Sequence, residues 1–253
     1  MRFSKTNSSR NITIKITLTG MLLGLTLLFN YLSAFMPFAG TFLKFDFSLI
    51  FVFVTFYFVG FRYGIILLVI RFLLGPLMGG APTADKWLGH AILLLTHATF
   101  VLFFYLMYKI LIIHSKCNLV NEYYLNSPIS QKKYKFYYLK LIAIFAISIL
   151  ITSVLITSAS TFIFNPLYFW IYKNLFGFGH IQEPTYRSLL ESYEEYRLFF
   201  FGIKPYALGS YALFIPFNLL NLSINSAILI IILMLDYKTN VFSKYKENSQ
   251  NIY

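Results

Sequence analysis

The sequence predicts an all-α integral membrane protein with six transmembrane helices and with both termini in the cytoplasm. Of its 253 residues 58% are hydrophobic and only 12% are charged, whereas soluble domains carry about 25% charged residues. The apolar residues also fall in continuous runs of the length that crosses a bilayer. The length suggests a single domain, and the one cysteine, Cys117, excludes a disulfide framework or a four-thiolate zinc site.

Six apolar runs define the predicted spans, and they occupy Ile16–Phe38, Phe47–Phe61, Tyr63–Leu77, Leu88–Ile113, Phe136–Phe164 and Leu208–Leu235. No small-residue cleavage site follows the basic N-terminus, so the first run is interpreted as a span and not as a removed signal peptide. The second and third runs are each short for a span of about 20 residues. They form either one long helix or two short helices that turn around Gly60.

The distribution of basic residues decides between these alternatives. With six spans and a cytoplasmic N-terminus, the cytoplasmic segments hold fourteen of the 21 basic residues: Arg2, Lys5, Arg10, Lys15, Arg62, Lys109, Lys116, Lys132, Lys133, Lys135, Lys140, Lys238, Lys244 and Lys246. The outer segments then hold six, which are Lys44, Lys86, Lys173, Arg187, Arg197 and Lys204, and Arg71 lies inside a span. This bias satisfies the positive-inside rule, whereas one long helix would place the six lysines from Lys109 to Lys140 outside. The net charge of +12 is therefore explained by membrane orientation, and no nucleic-acid partner is expected.

The predicted domain organisation follows from these spans. Residues 1–15 and 236–253 form cytoplasmic tails, and residues 16–235 form the membrane domain. Residues 115–135 form a cytoplasmic loop and residues 168–206 form a long outer loop. Within the outer loop, Thr185 followed by Tyr186-Arg187-Ser188 is typical of a capped helix start, either over the outer mouth or as a plain interfacial helix.

Motifs for catalysis are absent from the sequence. It contains no GxxxxGK[ST] phosphate loop, no HExxH and no GxSxG, so we expect a protein that is not an enzyme and has no catalytic residues. His90 and His97 share a helix face but lie about 10 Å apart, too far to hold one ion by themselves. We therefore expect no metal site and no bound cofactor.

Polar residues inside and beside the spans are the candidate site, because such residues cost free energy in hydrocarbon and usually face a bundle interior or cavity. The candidates are Lys44 and Asp46 before the second span, Arg71 in the third, Asn165 at the end of the fifth, and Asn218 and Asn221 on one face of the sixth. The amides suit a neutral heterocycle, and Tyr168, Phe169, Trp170, Tyr211 and Phe217 are candidate flat walls around it. The alternative is that the asparagines only bridge helices. The sequence leaves open whether Arg71 pairs with Asp46, Asp85 or a carbonyl.

Small residues in the first span, Gly20 and Gly24, would let another helix approach closely. That helix belongs either to a partner protein or to this chain.

Together these features resemble the substrate-binding S components of energy-coupling factor (ECF) vitamin transporters, over roughly residues 17–238. The riboflavin-binding members are the nearest in motif, because their fifth span ends in Asn followed by Pro and Tyr, as in Asn165-Pro166-Leu167-Tyr168. Their last span begins with Pro-Phe-Asn, as in Pro216-Phe217-Asn218. Where those relatives have a ligand-contacting lysine three residues later, this chain has Asn221.

The resemblance implies a multi-pass plasma-membrane subunit that binds riboflavin at the outer face through Lys44, Asp46, Asn165, Tyr168, Asn218 and Asn221. It implies a membrane coupling protein and two ATP-binding cassette ATPases as partners, with ATP bound by those partners only and the S component toppling to release ligand inside. Gly20 and Gly24 would form the coupling face, and residues 40–48 would help to close the site. Two alternatives remain: an S component for another vitamin such as folate, and a membrane enzyme acting on lipid head groups. A packing or assembly subunit is a further alternative.

Overall fold

The regular elements of the structure are all helices. In the computed structural model, which describes residues 3–38, 43–78, 80–113, 129–177 and 179–239, no β-strand forms within these ranges. Four helical stretches of these residues are long and apolar enough to cross a membrane: Ile12–Phe35, Ala84–Ile112, Tyr138–Phe176 and Tyr206–Asp236. The chain is therefore an all-α protein of the membrane-spanning kind.

Each of the six apolar runs of the sequence corresponds to a helical segment. The helices are α1 (Phe3–Leu32), α2 (Ser48–Val54), α3 (Phe61–Leu74), α4 (Ala84–Tyr108), α5 (Ile129–Ala159), α6 (Asn165–Phe176), α7 (Tyr186–Glu191), α8 (Tyr193–Tyr196) and α9 (Tyr206–Thr239). Turns of π-helix extend α2 over Thr55–Val59, extend α4 over Lys109–Ile113, and join α5 to α6 over Ser160–Phe164.

The second and third runs form two separate helices that meet at Gly60. This glycine has φ +134°, a conformation that residues with a Cβ rarely adopt, and α3 starts at the next residue. The break agrees with the two-helix alternative that the charge bias favoured. Neither helix reaches the length of the four span-like stretches.

The fifth run continues beyond its predicted end. Pro166 lacks a backbone N–H and would normally disrupt a helix interior. It directly follows the π-turn over Ser160–Phe164, and local π-helical adjustment of this kind lets a membrane helix continue past a proline. The connection to α9 consequently begins at Gly177 and not at Tyr168, so the predicted bounds 168–206 for this loop were wrong at their start.

Helix ends elsewhere also extend past the apolar runs. The predicted tail 1–15 is helical from Phe3, and α9 runs past residue 235 to Thr239. The predicted loop 115–135 is helical from Ile129, and its part 114–128 lies outside the described residues. The helices extend past the apolar runs because apolarity marks where hydrocarbon begins, whereas the backbone hydrogen bonds of a helix continue through polar residues.

An aromatic core holds the helices together. Phe53 of α2 packs edge-on against Phe104 of α4 with ring centroids 4.6 Å apart, and Phe104 lies 4.8 Å from Phe145 of α5. All three side chains are buried. Aromatic pairs of this kind add about 0.5–1.5 kcal/mol each to the free energy of burial.

The segment between α6 and α9 folds onto the bundle. Thr185 caps α7, as predicted, because its Oγ1 accepts a hydrogen bond from the backbone N–H of Ser188 at 3.3 Å. Tyr196 of α8 is fully buried against Phe169 of α6, with ring centroids 4.4 Å apart. The segment is therefore a packed cap on one end of the bundle.

Contacts between helix ends show that the chain runs back and forth. At one end, Lys15 of α1 lies 6.0 Å from the ring of Tyr63, and the Oη of Tyr105 donates to the Phe56 carbonyl at 2.8 Å. At the other end, Asp46 bonds to Arg71 of α3 and to Asn221 of α9. We call these the Tyr63 end and the Asp46 end.

Candidate ligand-binding site

A cavity of about 530 Å³ lies at the Asp46 end of the bundle. Pockets of about 300–1,000 Å³ are typical of small-molecule sites. All six residues that the sequence proposed as ligand contacts line it, although they come from distant parts of the chain: Lys44, Asp46, Asn165, Tyr168, Asn218 and Asn221. The structure thus brings the predicted residues together, while their contact with a ligand stays a prediction.

The walls of the cavity are mainly aromatic on the side of α6 and α9. Phe164, Tyr168, Phe214 and Phe217 line it there, and such rings suit a flat ligand. Asp85, Lys86 and His90 of α4 and Asn30 of α1 also line it. The cavity therefore combines aromatic rings and amides with charged side chains.

Three of the aromatic residues proposed as walls lie elsewhere. Phe169 and Trp170 pack in the cluster beneath the α7–α8 cap. Tyr211 shares a hydrogen bond with Ser158 at 2.8 Å. None of the three is among the residues that line the cavity, a difference that depends on how α6 and α9 are rotated in the bundle.

Asn165 has its amide group fixed by hydrogen bonds across the α6–α9 interface. Its Nδ2 donates to Tyr206 Oη at 3.1 Å and to Ser210 Oγ at 3.3 Å, and the residue is 5% exposed. Within the described part of the chain no hydrogen bond reaches Oδ1. This oxygen is therefore the atom that Asn165 offers to the cavity.

Asn218 bridges α9 to α5, since its Nδ2 donates to Thr157 Oγ1 at 3.1 Å. One amide hydrogen remains, and among the described residues its Oδ1 has no hydrogen-bond donor. Asn218 can therefore both accept from and donate to a ligand.

Asn221 presents hydrogen-bond donors to the cavity, whereas Asn165 presents an acceptor. Its Oδ1 accepts from the backbone N–H of Asp46 at 3.1 Å and more weakly from Asn225 Nδ2 at 3.4 Å. Asn225 also donates to the Asp46 carbonyl at 2.9 Å. With its oxygen used by the protein, Asn221 offers the cavity the two N–H donors of Nδ2. The asparagines thus bridge helices and line the cavity at the same time, so the two interpretations of the sequence are compatible.

Asp46 itself is an ion-pair residue. Its Oδ2 accepts from Arg71 Nη2 at 2.9 Å and from Ser48 Oγ at 2.8 Å, and its Oδ1 accepts from the Ser48 N–H at 2.9 Å. Arg71 also donates to Ser48 and, at 3.3 Å, to Asn30 of α1. Of the three partners that the sequence left open for Arg71, the structure selects Asp46.

His97 completes this buried cluster. Arginine can only donate, so the 3.1 Å contact between Arg71 Nη1 and His97 Nδ1 makes Nδ1 an acceptor. The proton of the neutral ring then sits on Nε2, which faces Asp46 Oδ2 at 3.4 Å. His97 is therefore a structural partner of the ion pair, while His90 lines the cavity and packs against Gly75.

Lys44 and Tyr168 occupy the rim. Lys44 is exposed and lies in a hairpin whose arms pair through Phe38 N–H to Leu43 O (2.8 Å) and Phe45 N–H to Met36 O (3.0 Å). Tyr168 donates from its Oη to Tyr172 Oη at 2.9 Å. Residues 39–42 of the predicted closing segment lie outside the described residues.

Gly20 and Gly24 lie on an open face of α1. A Cβ built at either position would meet nothing within 4 Å. The small residues therefore do not serve close packing within the described part of this chain, which was one of the two interpretations. Their face is available to a partner.

Several site residues escaped the sequence reasoning. Tyr206, Ser210 and Asn225 hold the cavity amides, and Asn30 and His97 surround Arg71. Asn30, His97 and Asn225 carried a signal, as polar groups inside predicted spans. Among the described residues, no group of three or more His, Cys, Asp or Glu side chains is arranged to hold a metal ion.

No family model, no curated protein and no solved structure matches the chain.

Proposed function

We propose that the chain is the substrate-binding S component of an ECF-type vitamin importer and that its ligand is riboflavin. One observation carries the proposal: three buried asparagines from two helices converge with aromatic rings on one cavity. The cavity belongs to a protein that otherwise consists of apolar helices. Such a site suits a flat, neutral heterocycle better than a lipid tail or an ion.

The chemistry of the three amides supports a flavin. Its ring system carries one N–H between two carbonyl groups, together with acceptor nitrogens. Asn165 offers an acceptor, Asn221 offers donors, and Asn218 offers both. Phe217 and Tyr168 would flank the ring, and the polyhydroxylated chain would extend toward Asp85 and Lys86.

We further propose six membrane spans, with α2 and α3 as two short spans and with both termini in the cytoplasm. The back-and-forth contacts support this topology, because Lys15, Tyr63 and Tyr105 share one end while Asp46, Arg71 and Asn221 share the other. The Asp46 end would then face outward, which agrees with the positive-inside bias. The location would be the plasma membrane.

Energy for uptake would come from partner subunits. The sequence contains no phosphate loop, so a coupling protein and two ATP-binding cassette ATPases would supply ATP hydrolysis, and the chain itself would not be an enzyme. The open face of Gly20 and Gly24 would contact the coupling protein.

An absorption spectrum of the protein purified in detergent, followed by riboflavin titration with flavin fluorescence, tests the proposal. A co-purifying flavin spectrum or stoichiometric quenching supports it. A folded protein that does neither would exclude riboflavin and direct the search to another vitamin, such as folate, with Asn221 in place of a lysine as the leading reason.

A further inference from the structure

The amide of Asn165 is held by a chain of hydrogen bonds whose directions are all determined. Tyr206 Oη donates to the Thr161 carbonyl at 2.8 Å, so the phenol proton is used and the oxygen can only accept from Asn165. Thr161 Oγ1 donates to the Thr157 carbonyl at 2.8 Å. Ser210 must therefore donate to Thr161 Oγ1, at 2.8 Å, and its oxygen also accepts from Asn165.

This arrangement excludes the flipped amide. With Oδ1 and Nδ2 exchanged, Asn165 would present an acceptor to two oxygens that have no proton left to give. The Thr161 carbonyl or its hydroxyl would then have to lose a partner in a buried site, since Thr161 and Ser210 are both fully buried. Asn165 is consequently locked as an acceptor toward the cavity.

We propose that Tyr206 is a specificity-determining positioning residue, which locks Asn165 as an acceptor and so makes the cavity select ligands with a ring N–H. Together with the donor fixed at Asn221 by Asp46, it restricts the ligand to heterocycles with a lactam or imide edge. This inference rests on the proposed function and deepens it, because it assigns the N3–H of the flavin to Asn165. Tyr206 would act through Asn165 and not by touching the ligand, since Asn165 lines the cavity and Tyr206 does not.

The experiment compares riboflavin with 3-methylriboflavin, in which a methyl group replaces the N3 proton. The protein carrying Asn165 as a fixed acceptor should bind riboflavin about tenfold or more tightly than the methylated compound, because the methyl group leaves Oδ1 buried without a donor. The ratio of the two dissociation constants is the readout, measured by fluorescence titration in detergent.

The decisive variant is Tyr206→Phe, which removes only the hydroxyl. Only the longer bond to Ser210, at 3.3 Å, then holds the Asn165 amide, so riboflavin affinity should fall while 3-methylriboflavin affinity changes less, and the ratio of the two dissociation constants should drop. Tyr193→Phe is the matched control. Tyr193 belongs to the same aromatic cluster, its ring lies 5.2 Å from that of Tyr206, and its Oη donates to the Ile203 carbonyl, remote from Asn165.

The outcomes separate this inference from the proposed function. Equal binding of the two flavins by the unchanged protein, or an unchanged ratio in a folded Tyr206→Phe variant, overturns the inference and leaves the flavin site in place. Absence of all flavin binding overturns both. If Tyr206→Phe does not fold, the double variant Tyr206→Ala and Ser210→Ala removes both acceptors of Asn165, and a drop in the ratio toward one is expected from it.

Discussion

Arg71 Nη2 and Asp46 Oδ2 lie 2.9 Å apart, with each side chain only 2% exposed. The pair joins α3 to the segment before α2, and Asn30 and His97 attach it to α1 and α4. The backbone of Asp46 is held in turn by Asn221 and Asn225 of α9. One buried ion pair therefore organises five parts of the chain around the floor of the cavity.

Replacement of Arg71 by Met should destabilise the fold by about 3–5 kcal/mol, because it leaves the Asp46 carboxylate buried without its cation. Thermal unfolding in detergent measures the effect. Arg187→Met is the matched control, since Arg187 pairs with Glu191 at 3.2 Å but is 91% exposed, and such surface pairs contribute about 0–1 kcal/mol. Equal stability losses in the two variants would show that the buried pair contributes no more than a surface pair.

Asn218→Leu should abolish riboflavin binding, because it replaces the donor and acceptor of Asn218 in the cavity with a hydrocarbon side chain. The protein should remain folded, as judged by its helical circular dichroism and elution profile. Asn174→Leu provides a control for the same chemical change at an exposed position of α6. Retained affinity in Asn218→Leu would remove this residue from the ligand site.

The double variant Gly20→Leu and Gly24→Leu should leave riboflavin binding unchanged and abolish uptake in cells. Both positions are open in the structure, so the new side chains cost little within the chain but obstruct a partner helix. Ala227→Leu, on the exposed surface of α9, is the control for added bulk. Normal uptake by the double variant would place the coupling face elsewhere.

Gly64→Ala should destabilise the protein by about 1–3 kcal/mol, the usual effect of overpacking a core. A Cβ at this position would lie 2.4 Å from the Phe56 ring, which the π-turn after α2 presses against α3. Gly89→Ala meets nothing within 4 Å and should instead be neutral or stabilising, since Ala is the better helix former. The thermal unfolding midpoint should therefore fall in Gly64→Ala and stay the same or rise in Gly89→Ala, each relative to the unchanged protein.

Acid should loosen the cap formed by α7 and α8. A hydrogen bond from Lys204 lowers the pKa of Glu194 below its ordinary value of 4.5, a small loss of hydration opposes this, and the charges of Lys204 and Arg197 add to the lowering. A lowered carboxylate pKa gives stability that is present above the unfolded value and is lost as the pH falls through the folded one. Proteolysis of residues 179–205 should rise slightly in that range, since exposed pairs contribute about 0–1 kcal/mol, and a Glu194→Gln variant should show a smaller rise.

Much of the helical layout was predictable because its signals are local. The apolar runs located all six helical segments, Gly60 marked the break between α2 and α3, and Thr185 marked the start of α7. Polar residues inside and beside the apolar runs, together with the family resemblance, also named six of the residues that line the cavity. Helix ends were less predictable, since the fifth apolar run ends at Phe164 whereas the helix continues through Pro166 to Phe176.

The sequence by itself determined that the protein is helical and of the membrane-spanning kind, since hydropathy and charge are properties of residues near one another along the chain. Only the tertiary structure decided the partner of Arg71, the polarity of Asn165 and Asn221, and the role of Tyr206. These depend on contacts between residues separated by 25 to 179 positions, and a single sequence carries no signal for which distant polar groups will meet. The direction of each hydrogen bond then follows from which atoms have protons left to donate.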